Sequence, residues 1–297
     1  MPSYRDPRGI EIFYESAGPD TGPAVCLVAG LGAQLIWWPE EFVAALVEAG
    51  CHVIRADNRD VGLSSHFDEA GLPDLLALGA RNSDSVAYHL EDMADDIASL
   101  LRGLGVLRAH LVGVSMGGMI AQTVAIRHPD LVASLCSVSS TTSDPTVGLP
   151  HPEAIELLLR PGPSSEEEAV AQSLDWHRTL GSKACDAAEE DLAEKVRLAW
   201  RRSHHPEGTL RQLAAVVVAS DRTEQLRRLR IPAAVVHGAD DKLIDPSGAR
   251  ATAAAIPGSR LRLVEGVGHD FPRELWEVVV EEVLRNIELA EGHQVSD

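Results

Sequence analysis

Cysteine is scarce: Cys26, Cys51, Cys136 and Cys185 are the only four in 297 residues, and no two stand in C-x-x-C spacing. So few thiols in so long a chain exclude a disulfide framework as the expected frame. Cys26 and Cys136 fall inside apolar runs that read as strands, where a small buried thiol is the ordinary expectation. Metal-ligand spacing is lacking as well. None of the twelve histidines forms an H-x-x-x-H pair, and the adjacent His204 and His205 would point apart on a helix. No metal is expected. Basic residues are few, 26 Lys and Arg against 45 Asp and Glu, for a net charge of −19. That sign repels phosphate backbones and anionic lipid surfaces, so neither nucleic acid nor a membrane surface is an expected partner. No apolar run approaches the ~18 residues of a spanning helix. The opening stretch MPSYRDPRGIEIFYES has no apolar segment behind a basic one, so no secretory signal is read and a cytoplasmic location is expected.

What is present is a globular balance, 45% apolar and 24% charged, set out as short β-type runs alternating with helix-length stretches. That alternation predicts a mostly parallel sheet covered on both faces. Strands are expected at Ile10–Glu15, Ala24–Ala29, His52–Ala56, His110–Val114 and Leu131–Ser139. Helices are expected at Pro39–Ala49, at Gly117–His128 and over Ser83–Leu104, where Val86, Leu90, Met93, Ile97 and Leu101 recur at three- and four-residue steps. From 143 to 219 the rhythm stops. This stretch is rich in Glu, Ala, Leu and Arg, with helices expected at Glu166–Leu180 and Ala187–Arg202 and an ambiguous run at Leu213–Ala219. After Pro232 the strand–helix rhythm returns with strands at Ala233–His237 and Arg260–Val264 and helices at Pro246–Ile256 and Glu274–Glu288. The expected organisation is a core of residues 1–142 and 220–297 interrupted by a helical cap at 143–219.

The sharpest chemical feature is Gly113-Val114-Ser115-Met116-Gly117, a G-x-S-x-G pattern between an expected strand and an expected helix. A serine on so tight a strand-to-helix turn is held strained with its hydroxyl projecting, and small neighbours are needed because the two backbones nearly touch. A serine hydroxyl is a weak nucleophile at neutral pH and needs a base. His269 closes Gly266-Val267-Gly268-His269 after the last expected strand and suits that role, taking the proton from Ser115 and returning it to the leaving group. A carboxylate must fix the imidazole. Asp240, Asp241 and Asp245 all follow the strand ending at His237-Gly238, and a three-residue reach from Gly238 selects Asp241. His237 itself reads as a supporting histidine. An oxyanion needs two N–H donors: Met116 follows the nucleophile, and Leu31 lies in the Gly30-Leu31-Gly32 loop after the first central strand. Of Trp37 and Trp38 just beyond, at least one is expected in the core. Asp57-Asn58-Arg59-Asp60-Val61-Gly62-Leu63-Ser64 reads as a hydrogen-bonded structural turn.

Taken together, GVSMGG at Gly113–Gly118, the G-x-x-D ending at Asp241 and the G-x-G-H ending at His269 resemble the α/β-hydrolase superfamily of serine esterase type, over nearly the whole length. The resemblance implies the α/β-hydrolase fold: about eight strands in a mostly parallel sheet flanked by helices, a helical cap after the sixth, and no cofactor. The turn DNRDVGLS, with Asp60 where many relatives carry glycine, looks like the branch containing the anthracycline (aclacinomycin) methyl esterases. One departure is Ala29, where many relatives have histidine before the oxyanion-loop glycine, so the surroundings of that loop must differ here. Serine at 115 rather than aspartate argues against the haloalkane dehalogenase and epoxide hydrolase branches.

The expected activity is hydrolysis of a carboxylic ester, a methyl ester or lactone of a hydrophobic small molecule, through an acyl-enzyme. The same three residues also admit cofactor-free perhydrolysis of the haloperoxidase kind or carbon–carbon bond hydrolysis. A non-catalytic ligand-binding module on the same fold is a third reading, against which the intact set of Ser115, Asp241 and His269 speaks. Oligomeric state and the pocket-facing residues of the cap are not legible.

Overall fold

The computed structural model describes residues 2–74, 82–183 and 189–294, with the backbone alone for Ser85, His293 and Gln294. Two short strands lead, β1 (Ser3–Arg5) and β2 (Glu11–Ala17), the latter half-buried as its alternation predicts. Next come β3 (Ala24–Val28), α1 (Glu40–Glu48), β4 (His52–Ala56), α2 (Leu90–Gly103), β5 (Ala109–Val114), α3 (Met116–Arg127) and β6 (Val132–Val138). Among the described residues, five helices separate β6 from the next strand: α4 (Pro152–Leu158), α5 (Glu166–Leu180), α6 (Glu189–Arg202), α7 (Pro206–Val217) and the single turn α8 (Thr223–Leu226). The chain ends with β7 (Ala233–Gly238), α9 (Ser247–Ala255), β8 (Arg260–Val264) and α10 (Arg273–Gln294). The strands form one sheet in the order β1-β2-β4-β3-β5-β6-β7-β8, with β1 and β2 antiparallel and every pairing from β4 to β8 parallel.

The unbroken apolar runs of β3, β5 and β6 follow from burial on both faces. Cys26, Val28, Leu111 and Leu135 point to one core, with Ile97 and Leu101 of α2 and Ile120 of α3. Val25, Leu27, Val112 and Cys136 point to the other, with Phe42 and Leu46 of α1 and Val279 and Val283 of α10. Each fully buried Leu or Ile contributes roughly 2 kcal/mol, so the two layers fix the register of the sheet. Trp38 joins the second core, 5.5 Å from Phe42 and 5.3 Å from Phe271 between ring centres, whereas Trp37 is half-buried beneath Lys195. Cys26, Cys51 and Cys136 are buried free thiols, and Cys185 lies outside the described residues.

One local expectation changes, and one ambiguous run resolves. The helix expected from Ser83 begins only at Leu90, because the Asp92 carboxylate accepts the His89 N–H at 2.8 Å and caps the helix there. Ser83–Ser85 is a separate single turn whose Asn82 side chain accepts the Asp84 N–H. The ambiguous run at Leu213–Ala219 belongs to α7 through Val217, which Pro206 opens at its first turn and whose Ala214 and Ala215 are fully buried. Of the helix expected at Ala187–Arg202, α6 covers Glu189–Arg202, and Ala187 lies outside the described residues. No described helix is long and apolar enough to cross a membrane.

Candidate active site

All the motif residues arrive at one edge of the sheet because they sit just past the C-terminal ends of neighbouring parallel strands: Gly30–Gly32 after β3, Ser115 after β5, Asp241 after β7 and His269 after β8. Ser115 is the residue between β5 and α3 and adopts φ 57° and ψ −122°, a strained left-handed conformation. Its surroundings over-determine that geometry. The Ser115 N–H donates to the Val138 carbonyl at 2.9 Å, and its own carbonyl accepts from the Gly118 N–H at 2.9 Å and the Ser140 hydroxyl at 2.8 Å. The close approach needs Gly117, where a Cβ would stand 2.0 Å from the Val28 carbonyl oxygen.

The three side chains far apart in the chain form a continuous hydrogen-bonded line. His269 Nε2 lies 3.0 Å from Ser115 Oγ, and His269 Nδ1 lies 2.7 Å from Asp241 Oδ2. With the Nδ1 proton donated to the carboxylate, Nε2 presents its lone pair to the serine hydroxyl. The histidine loop is held from above by the helical insertion: the His269 N–H donates to the Leu180 carbonyl at the end of α5 at 2.7 Å, and the Gly268 N–H to Ser182 Oγ at 3.1 Å.

Of the three aspartates that follow β7, Asp240 is exposed and Asp245 half-buried, while Asp241 is buried and turns inward. One Asp241 oxygen accepts the N–H groups of Leu243 and Ile244, each at 2.9 Å; the other faces His269 and, at 3.2 Å, Nε2 of His237. Burial alone would raise the Asp241 carboxyl. The charge of His269 and hydrogen bonds from His237 and His269 outweigh it and hold the group well below the usual carboxylate range, so it is an anion throughout the neutral region. His237 is buried against it, and its Nε2–H also donates to the Ile244 carbonyl at 2.8 Å, consistent with a supporting rather than a reacting imidazole.

Beside the hydroxyl lies the Gly30–Gly32 loop, and a Cβ on Gly30 would meet Ser115 Cβ at 3.4 Å. Among the described residues no acceptor bonds the N–H of Leu31 or that of Met116, the two expected oxyanion donors. Met116 opens α3, so its N–H carries the positive end of that helix. Sequence reasoning missed the supports behind this loop. Asn58 Nδ2 donates to the Ala29 carbonyl at 3.0 Å, the Leu35 N–H to Asp57 Oδ1 at 2.7 Å, and the Gly32 N–H to Gln212 Oε1 at 2.8 Å. The DNRD turn signalled the first two; a lone glutamine on an Ala-rich helix gives no signal.

A second cluster lies where α7 meets the DNRD turn. His66, Asp68 and His205 bring one ligand atom each within 4.8 Å of one another. The Arg211 guanidinium already supplies a cation there, with Nη2 2.9 Å from His205 Nε2 and 3.2 Å from Asp68 Oδ1. A metal ion would compete with that fixed positive charge.

The strand order and the strand–serine–helix turn define an α/β hydrolase, and residues 23–272 match the α/β-hydrolase-fold family; the chain belongs to it. It is similar to the rhodomycin D methylesterases of Streptomyces peucetius (27% identity over 283 residues) and Streptomyces sp. strain C5 (26% over 282), with 89% of this chain and 90% of each relative covered. Among solved structures it resembles a thermophilic esterase of Thermogutta terrifontis, with TM-score 0.70, 26% identity, and 97% of this chain and 98% of that one covered.

Proposed function

We propose that this chain is a serine esterase that cleaves a carboxylic ester of a hydrophobic small molecule, a methyl ester or lactone, through an acyl-enzyme. The observation that carries the reading is the unbroken line Ser115–His269–Asp241. In this mechanism Ser115 Oγ attacks the ester carbonyl as His269 Nε2 takes its proton. The N–H groups of Leu31 and Met116 stabilise the tetrahedral oxyanion. The imidazolium then gives its proton to the departing alcohol, and a water activated by the same nitrogen releases the acid. Asp241 stays ionised and compensates the imidazolium. Residues 143–219 act as the lid over this site.

Support for an ester comes from the methylesterase and esterase relatives. Support for an apolar substrate comes from the setting: Met116, Met119, Ala215 and Ile244 belong to one apolar cluster that reaches the serine turn and α7, and the half-buried Leu31 packs against it. The test is incubation with an alkyl fluorophosphonate followed by peptide mass spectrometry. One adduct on Ser115 is expected, lost in Ser115→Ala. A folded protein that forms no adduct there overturns the reading. A panel of p-nitrophenyl and methyl esters graded by acyl length then ranks substrates.

A further inference from the structure

The Gly30–Gly32 loop is a tight turn closed by the Ala33 N–H donating to the Gly30 carbonyl at 3.2 Å, with Gly32 in the left-handed region at φ +66°. The central peptide of such a turn, Leu31 C=O to Gly32 N–H, is its least restrained part, because the closing hydrogen bond does not involve it. Here it is restrained from outside. Gln212, on α7 of the helical insertion and wholly buried, accepts the Gly32 N–H on Oε1 at 2.8 Å. Its Nε2 donates to the Arg59 carbonyl at 2.7 Å. Arg59 is itself immobilised, its guanidinium paired with buried Asp96 at 2.6 Å and 2.7 Å. Both ends of the amide are therefore committed, and its orientation is fixed by one donor and one acceptor. Thr209, one turn earlier on α7, packs on the same glycine: its Oγ1 would stand 3.0 Å from a Cβ placed there. A helix far along the chain thus grips the turn that carries the Leu31 N–H.

We infer that Gln212 is a positioning residue for the oxyanion loop, so that the donor pair is fully assembled only while α7 is docked on the core. This rests on the esterase reading above. The side chain touches no reacting atom; it acts by holding the Leu31–Gly32 peptide in place and, through Leu31, the adjoining Gly30–Leu31 peptide that carries the donor N–H. If α7 lifts to admit substrate, the tie to Gly32 is lost, and redocking restores it around the bound ester. Substrate capture and oxyanion-hole assembly become one event.

The readout is the second-order rate of Ser115 labelling by an alkyl fluorophosphonate, which places a phosphoryl oxygen where the ester oxyanion would lie and requires no knowledge of the natural substrate. Gln212→Met removes both hydrogen bonds at similar volume; its labelling is expected to slow about tenfold, less than the ~10²–10³ of deleting a donor outright. The pH at which labelling reaches half its maximum should not move, because the base is untouched. Gln212→Glu retains an acceptor for Gly32 and, while protonated, a donor for Arg59; it should recover most of the rate at low pH and lose it as the carboxyl ionises. Labelling of Gln212→Met at the wild-type rate, or a loss that moves with the half-maximal pH, overturns the inference while the adduct on Ser115 leaves the esterase reading standing. No adduct on wild-type Ser115 overturns both. If Gln212→Met misfolds, the pH dependence of Gln212→Glu still decides, since a glutamate that labels at a constant fraction of wild type at every pH overturns the inference.

Discussion

His269 Nδ1 and Asp241 Oδ2 lie 2.7 Å apart, with both side chains almost wholly removed from solvent. This contact dictates the tautomer: a carboxylate only accepts, so the Nδ1 proton is held and Nε2 is left basic. Asn at 241 can turn its NH2 toward the ring, move the proton to Nε2 and leave the serine without a base. Asp241→Asn is therefore expected to lower kcat by about 10⁴ with little change in KM. Steady-state kinetics on the best ester of the panel check this, and a loss under tenfold would remove Asp241 from the mechanism.

The strained serine turn gives a second expectation. At Gly117 the β3 backbone leaves no room, a Cβ there standing 2.0 Å from the Val28 carbonyl oxygen and 2.6 Å from that of Ala29. Backbone cannot move aside as a flexible side chain can. Gly117→Ala should cost about 3 kcal/mol of stability and push α3 away from β3, displacing Ser115 and the Met116 N–H together. Urea unfolding and the fluorophosphonate labelling rate should fall in concert; a stable variant with normal labelling would contradict the packing described.

These two features were legible in the sequence for a physical reason. G-x-S-x-G, G-x-x-D and G-x-G-H are local solutions to local problems, a strained turn or a side chain thrown across the end of a sheet, so their spacing is visible within a few residues. The parallel sheet was equally legible, because burial on two faces leaves unbroken apolar runs. Asp241 was separable from Asp240 and Asp245 by reach alone, and the structure places only Asp241 against the imidazole. Contacts spanning the chain were not legible. Gln212 meets Gly32 across 180 residues, and Arg211 meets Asp60 across 151. Neither carries a periodicity or motif, and Ala29 showed only that the loop's surroundings differ, not that Asn58 and Gln212 supply them. The late start of α2 was lost because Ser83 looks like a cap in isolation, whereas the His89–Asp92 pair does the capping.

The thiols give a third expectation. Burial pushes Cys26 and Cys136 up to about 12, and Cys51 is also raised by burial. The reactive species is the thiolate, so these three should not react with Ellman's reagent in the folded protein and should all react after denaturation. Reaction of any of the three without unfolding, located by peptide mass spectrometry, would show that the two cores open more readily than their packing implies.

The helical insertion is joined to the core by charge as well as by Gln212. Arg211 of α7 clasps Asp60 with Nε and Nη2 at 2.7 Å and 2.9 Å, and the two residues are 2% and 0% exposed. Asp60 sits at φ 67° and also accepts the Tyr88 hydroxyl at 2.8 Å and the Phe67 N–H at 2.7 Å. Burial by itself would raise its carboxyl, but Arg211, Phe67 and Tyr88 hold it below the ordinary value. A carboxyl depressed by folding contributes stability that is complete above its unfolded value, about 3.9, and is lost as pH falls through the lower folded value. Arg211→Met reverses the sign. Asp60 then remains buried without its cation, and its carboxyl rises above the unfolded value, so the penalty is full at neutral pH and shrinks as protonation neutralises the group. The variant should be less stable by about 3–5 kcal/mol at pH 7, with the deficit narrowing toward pH 4. Arg211→Met combined with Asp60→Asn should recover part of the loss, because no unpaired charge remains. Urea unfolding of the three proteins at pH 7 and pH 4.5 decides the matter: a deficit that stays constant or grows in acid would mean that Arg211 holds α7 through packing, not through its charge.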